Sequence, residues 1–317
     1  MQNIHGRYTM TLTQLEIFSA VAACRGFTAA ALQLGISQSG VSHAIEALEQ
    51  EFGVSLLRRG KNPELTHVGA RLLRQAQAML GLAESMRQEA SAARGMKRGT
   101  LRVGSFGPTA SLRLLPPVLE KYRAAFPGIV IHVDEGPDSE VAQWLADYRV
   151  DVGFVTLPNE QFDTFFLMQD QLVALLPTGH PLAGKRSVTL ADLCASPFAM
   201  TRAGSGDIIG RLFHAAGLQP NIHCRSLQLV STIAAVARGD AVSIVAESAL
   251  PPESPLAYIK KPLRPAAVRK VALAVPDTGR MSPATREFIR IAQQVFAPSG
   301  TAGAKVKEKL PTVRQQV

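Results

Sequence analysis

The sequence holds little of what marks a secreted, membrane-anchored or metal-dependent protein. Three cysteines in 317 residues, Cys24, Cys194 and Cys224, are odd in number and far apart. That excludes a disulfide framework and a paired CxxC metal site. They read as small buried hydrophobes, with thiol sensing the alternative. No apolar run approaches the length a bilayer requires, and the opening MQNIHGRYTM lacks a signal-peptide core; no membrane attachment is expected, and the cytoplasm is the expected compartment. Enzyme motifs are missing as well: GSFGPT does not fit GxGxxG, and neither GxxxxGK[ST] nor GxSxG occurs. His223 and Cys224 adjoin without companions, as strand residues rather than metal ligands. No cofactor and no catalysis are expected.

What is present is a chain too long for one typical core, so two or three domains are expected, with 46% hydrophobic residues as in a globular protein. The net charge of +9 is not concentrated where nucleic acid would meet it, since residues 1–67 hold five Lys/Arg against five Glu. Residues 98–317 hold 24 basic and 18 acidic side chains, a surplus of six. Local placement therefore decides.

Residues 26–53 read GFTAAALQLGISQSGVSHAIEALEQEFG, two short helices around Gly35. Thr28 is placed to cap the first, Gly35 offers the left-handed turn that ends it, and Ser37 caps the second. On the second helix Val41, Ile45, Leu48 and Phe52 recur at spacings of four, three and four, which confines them to an arc of about 60°. Gln38, Ser39, Ser42 and His43 stand on the other face near its start, whereas Glu46, Glu49 and Glu51 are held back to its end. Such a helix approaches polyanionic DNA with its N-terminus, where the dipole favours phosphate and short polar side chains reach base edges. The layout is a helix-turn-helix with residues 37–52 as reader; a helical hairpin packed in a core would leave the segregated glutamates unexplained.

Leu12, Leu15, Phe18, Val21 and Ala22 form a further helical face, and VSLLRRGKNPELT has the form of a two-stranded wing. Arg58, Arg59 and Lys61 cluster there, suited to phosphates or a minor groove, or else a solvated loop. Thr66 then caps a helix running to about residue 93, on which Val68, Leu72, Ala76, Met79, Ala83, Met86 and Ala90 form one stripe, some 25 residues or about 38 Å long. A small winged domain cannot cover it. The same helix of a second subunit would, and so would the chain's own C-terminal domain. RGMKRG, Arg94 to Gly99, reads as a flexible basic hinge. Beyond residue 100 β-branched runs (TLRVGSF, IVIHVDEG, VDVGFV, LVALLP, PFAMTR, NIHCRSL, AVSIVAE, RKVALAV) alternate with helical patterns, which predicts parallel sheets in two subdomains with a cleft between them. Residues 298–317 lack periodicity and are expected to be disordered.

Together these features resemble the LysR-type transcriptional regulators, from about Met10 to Phe296. LTQLEIFSAVAACRGFTAAALQLGISQSGVSHAIEALEQEFGVSLLRR and LTHVGARLL carry the resemblance most specifically, followed in family order by LRVGSF, LLPPVLEKYRAAFPGI, GSGDIIGRLFHAAGLQP, VARGDAVSIV and SPATREFIR. Gly40 stands where alanine is expected, Leu57 where phenylalanine is common, and GKNPE replaces a more basic wing tip, departures that touch half-site preference rather than DNA binding. Met10 is an alternative start.

The resemblance implies an α/β protein: a winged helix-turn-helix (10–67), a linker and dimerisation helix with its hinge (68–99), and an effector domain like periplasmic binding proteins (100–297). Its subdomain I would comprise about 100–162 and 269–297, and subdomain II about 163–268. It implies double-stranded promoter DNA as partner, a homodimer through 68–93 and a tetramer of such dimers. Thr28, Ser37, Gln38, Ser39, Ser42, His43, Arg58, Arg59, Lys61 and Thr66 are the expected DNA contacts. The effector residues carried over are Ser105, Phe106, Gly107, Thr109, Thr156, Thr201, Arg202 and Ser205. SFGPT and TRAGSG each lie where a strand gives way to a helix, a setting of amides and hydroxyls that binds anions. Arg202 would add a bidentate partner for a carboxylate, unless it faces solvent. A small organic anion is the expected effector. A catalytic α/β scaffold and a periplasmic solute receptor are the rivals.

Overall fold

The computed structural model describes residues 10–58, 60, 63–92, 99–202 and 204–297. Arg59, Lys61, most of the basic hinge and the tail 298–317 lie outside these residues.

The chain opens with three helices, α1 (Leu12–Cys24), α2 (Phe27–Leu34) and α3 (Gln38–Phe52). Thr11 and Gln14 form a reciprocal capping box that starts α1. The expected Thr28 cap of α2 is not formed. Arg25 turns left-handed (φ +50°), Gly26 is extended, and the helix begins at Phe27, so Gly26 is the N-cap and Thr28 lies exposed within the first turn. Gly35, at φ +66°, closes α2 and returns its amide to the carbonyls of Ala31 and Leu32. Ser37 caps α3, its hydroxyl accepting from the Gly40 amide at 3.1 Å. Val41, Ile45 and Leu48 are buried with Leu15, Phe18, Val21 and Leu56; Phe52 is half-buried at the edge of the same core.

The wing pairs β1 (Leu57–Arg58) antiparallel with β2 (Glu64–Leu65). Glu49 Oε1 accepts from the Leu56 and Leu57 amides at 2.7 and 3.2 Å, so the C-terminal half of α3 fastens the strand that follows. One glutamate kept away from the N-terminal end of α3 therefore has a structural task. Thr66 caps α4 (His67–Ala92), accepting from the Gly69 amide at 2.9 Å. Along α4 Ala76 is buried, whereas Val68, Met79, Leu82 and Met86 are exposed. Toward its end α4 does touch the chain's own C-terminal domain: Gln88, buried, donates to the Thr100 carbonyl at 2.6 Å, and Glu89 stands 3.8 Å from Arg286.

The second domain runs β3 (Gly99–Phe106), α5 (Leu115–Ala125), β4 (Ile129–Gly136), α6 (Asp138–Ala146), β5 (Val152–Leu157) and β6 (Asp163–Leu176). There follow α7 (Leu190–Cys194), β7 (Pro197–Thr201), α8 (Gly206–Ala215), β8 (Asn221–Ser226), α9 (Leu229–Ala237), β9 (Ser243–Ala246), β10 (Ile259–Val275) and α10 (Pro283–Val295). Purely parallel sheets were expected, and the sheets are mixed. β3 is parallel to β4 and β5, and β7 to β8, but β10 runs antiparallel to both β5 and β6, and β6 to β9. The six strands lie in the order β4-β3-β5-β10-β6-β9.

LVALLP and RKVALAV are the ends of two long strands, β6 and β10, by which the chain crosses from one lobe to the other and returns; one outbound and one returning strand that pair must be antiparallel. β6 gives Leu167 to a core with Val103, Val118, Tyr122, Phe154 and Phe288 (lobe I), and residues 172–176 to a core with Phe198, Phe213, Ile233 and Ile244 (lobe II). The lobes meet between those contributions.

Candidate functional site

At the N-terminal end of α3, Ser37, Gln38, Ser39 and His43 are exposed and Ser42 is half-buried. The Ser37 and Ser39 hydroxyls lie 3.0 Å apart. The first turn carries no acidic residue, so three amides and a row of short polar groups face outward without a repelling charge. Arg58 is exposed on β1, on the wing that follows. The Thr66 hydroxyl is occupied within the protein, donating to the Ser55 carbonyl at 2.8 Å while it caps α4. Thr28 stands exposed at the start of α2.

In the C-terminal domain the residues expected at the cleft come from both lobes but do not form one open pocket. Ser105, Phe106, Thr109, Thr201 and Ser205 are buried, Gly107 and Thr156 half-buried, and Arg202 exposed. Ser105 pairs with Ser111 at 2.8 Å. The space between Thr109 and Ser205 is occupied by a side chain that the sequence reading missed, Arg269. It is 1% exposed and lies at the level where β6 and β10 pass between the lobes. Its Nη1 donates to the Gly204 carbonyl and to Ser205 Oγ (3.1 Å), and its Nη2 to Thr109 Oγ1 and Asp170 Oδ2, each at 2.7 Å. The Phe106 ring lies 5.6 Å from the guanidinium carbon. Asp170 accepts in turn from the amide and hydroxyl of Ser248. That hydroxyl has one hydrogen, so Thr109, 2.9 Å away, donates to it. Burial pulls the guanidinium pKa down and Asp170 pushes it back up; a buried cation of this kind requires its anion. The sequence did carry a signal: Arg269 has the inward parity of Ala267, Val271, Leu273 and Val275 along one strand.

Beside this network a groove with about 240 Å³ of open space is lined by Pro137, Asp138, Ser139, Arg202, Gly206 and Asp207. Burial raises the Asp138 carboxyl to about 6, and the like charge of Asp207 adds to the effect against the opposing pull of Arg269. A larger hollow, about 570 Å³, lies between α4 and lobe I. Its arginines are matched, Arg102 with Asp151 at 2.7 Å and Arg280 with Asp277 at 3.2 Å. Among the described residues no cluster of His, Cys, Asp and Glu could hold a metal ion, and no helix is long and apolar enough to cross a membrane. Cys24, Cys194 and Cys224 are unpaired thiols, half-buried rather than fully buried.

A winged helix-turn-helix joined by a long helix to a two-lobed binding domain defines the class of ligand-responsive DNA-binding regulators. Residues 12–70 match the model of the bacterial regulatory helix-turn-helix protein, lysR family, and residues 94–297 match that of the LysR substrate binding domain. The chain belongs to the LysR family of transcriptional regulators, which are not enzymes. It is 31% identical to an uncharacterized HTH-type transcriptional regulator, YvbU, of Bacillus subtilis, covering 90% of this chain and 99% of that one. It is 38% identical to a probable HTH-type transcriptional regulator, LrrA, of Synechococcus elongatus, over 84% of this chain and 94% of that one. Among solved structures, full-length CbnR complexed with its target DNA is 27% identical with a TM-score of 0.61, covering 90% of this chain and 99% of that chain.

Proposed function

We propose that this regulator reads a promoter through the N-terminal turn of α3 and that a small organic anion, held between its lobes, alters those contacts. The observation that carries the DNA half is the placement of charge on α3: an acid-free first turn with exposed Gln38, and Glu49 turned back to bind the Leu56 and Leu57 amides. Gln38 is suited to a bidentate contact with adenine, and Ser37, Ser39, Ser42 and His43 to the remaining base and phosphate contacts. Arg58, with Arg59 and Lys61, would hold the backbone, as would Thr28 in the first turn of α2; Thr66, expected to join them, has its one hydroxyl hydrogen committed to the Ser55 carbonyl. The DNA complex of the related CbnR supports this reading.

The effector half rests on two arginines, Arg202 lining the groove and Arg269 buried beside it, next to hydroxyls of both lobes. The uncovered stripe of Val68, Met79, Leu82 and Met86 supports a dimer through α4. Pairing of dimers into tetramers draws support from apolar side chains exposed on opposite lobes, Val130 and Val133 on the edge strand β4, and Leu227 and Val230 at the start of α9. The cytoplasm is the compartment in which such a regulator would act.

Footprinting across the region upstream of the protein's own gene, with and without a panel of organic acids, tests both halves. A protected site whose extent changes with one acid is expected. Absence of any protected site would defeat the DNA reading, and a footprint indifferent to every acid the protein binds would defeat the effector reading.

A further inference from the structure

The Arg269 guanidinium carries five N–H donors. Four are engaged: Nη1 by Gly204 and Ser205, and Nη2 by Thr109 and Asp170. The fifth, Nε, is buried without an acceptor among the described residues. Asp170 thus holds the cation through one oxygen on Nη2, its other oxygen being taken by the Ser248 amide at 3.2 Å. Nε and an Nη form one of the flat two-pronged edges with which a guanidinium receives both oxygens of a carboxylate, and here that edge is half-filled.

We propose that Arg269 is the carboxylate seat of the interlobe cleft: Asp170 holds it in the ligand-free protein, and the carboxylate of an acidic effector takes the Nε–Nη2 edge in its place. This rests on the reading of the cleft as the effector site. Three features argue for exchange over simple addition. The guanidinium is fully buried and already neutralised, so a second anion without displacement would leave an uncompensated charge out of water. Asp170 has somewhere to go, because Ser248 already offers it an amide and a hydroxyl. Gly204 stands at φ +75°, and a Cβ there would lie 2.7 Å from the Phe106 ring and 3.4 Å from Nη1, so the backbone of lobe II closes on the guanidinium only because residue 204 has no side chain. Displacement would act on Thr109 of lobe I and Gly204 and Ser205 of lobe II at once, since the same guanidinium joins them.

The test uses the full chain and sodium acetate as probe, against sodium chloride at matched ionic strength, with the melting midpoint as readout. Asp170→Ala vacates the seat, and Arg269→Met/Asp170→Leu abolishes it while keeping the site apolar and filled. Acetate should raise the midpoint of Asp170→Ala saturably, with half-saturation about tenfold or more below that of the unaltered protein, in which Asp170 competes; the double variant should show no saturable response. If Asp170→Ala does not melt cooperatively, Asp170→Asn, which keeps the volume and loses the charge, replaces it. Equal responses of all three proteins to acetate would overturn the proposal. Footprints of the acetate-loaded variant separate the two readings: uptake confined to proteins retaining Arg269, with an unchanged footprint, leaves the seat standing and removes the cleft from control of DNA binding.

Discussion

The carbonyl of Leu56 backs directly onto Gly69: a methyl group built on that glycine would lie 2.0 Å from the oxygen. Leu56 also accepts from the Thr66 amide at 3.0 Å, while its own amide is held by Glu49 of α3. α3 is thereby fastened, through one residue next to the wing, to the first turn of α4.

Gly69→Ala forces α4 away from the wing, so it should destabilise the DNA-binding domain by about 1–3 kcal/mol. Gly210→Ala on α8, where the new methyl meets nothing within 4 Å, should be neutral or stabilising by up to about 1 kcal/mol. Urea melts of both variants decide it. Equal effects would show that α4 does not bear on Leu56.

Gln38 and Arg58 should fail differently. Gln38→Ala is expected to lose about 1–3 kcal/mol of discrimination at one operator position while keeping non-specific affinity. Arg58→Ala should weaken all sequences alike and lower the slope of log affinity against log salt by about one. A binding-site selection followed by salt titrations distinguishes them, and unchanged base preference in the Gln38 variant would show that α3 is not the reader.

Met86 is 68% exposed and Leu82 50% exposed on α4. Burying a glutamate from each subunit in a two-fold interface is costly, so Met86→Glu should move the protein toward monomer in sedimentation velocity and reduce operator affinity with it. A dimer of unaltered strength would place the α4 stripe outside the subunit interface.

Asp138 predicts a pH effect. Its folded pKa of about 6 lies above the ordinary carboxylate value near 4, so the native state binds this proton more tightly than the unfolded chain does. Its contribution to stability therefore falls as pH rises from about 4 to about 6, and the full cost persists above that. Asp138→Asn should flatten this part of the stability profile and raise stability at pH 7 by on the order of 1–3 kcal/mol. Superimposable profiles for the two proteins, measured by melting between pH 4 and 8, would remove Asp138 from the account.

What local spacing encodes was legible from the residues themselves. Val41, Ile45 and Leu48 declare a buried helical face within three turns, Ser37 marks the start of that helix and Gly35 the end of the one before it, and the withdrawn glutamates leave its first turn free of acid. The Thr28 cap was misread because Arg25 takes a left-handed conformation that α1's own residues do not announce, and the helix starts two residues early. The outer ends of β6 and β10 were missed because their half-exposed residues lack the apolar density of LVALLP and RKVALAV.

The sequence by itself determined the helix-turn-helix, its wing and the two-lobed alternation, because each depends on contacts a few residues apart. Only the tertiary structure decided what occupies the cleft. Arg269 and Asp170 lie 99 positions apart, and they meet because two antiparallel strands settle into one register, with both groups on the inward face at the point where one core ends and the other begins. No periodicity within either strand names its partner; the pairing follows from which neighbour the sheet brings alongside and from the cost of burying either charge alone.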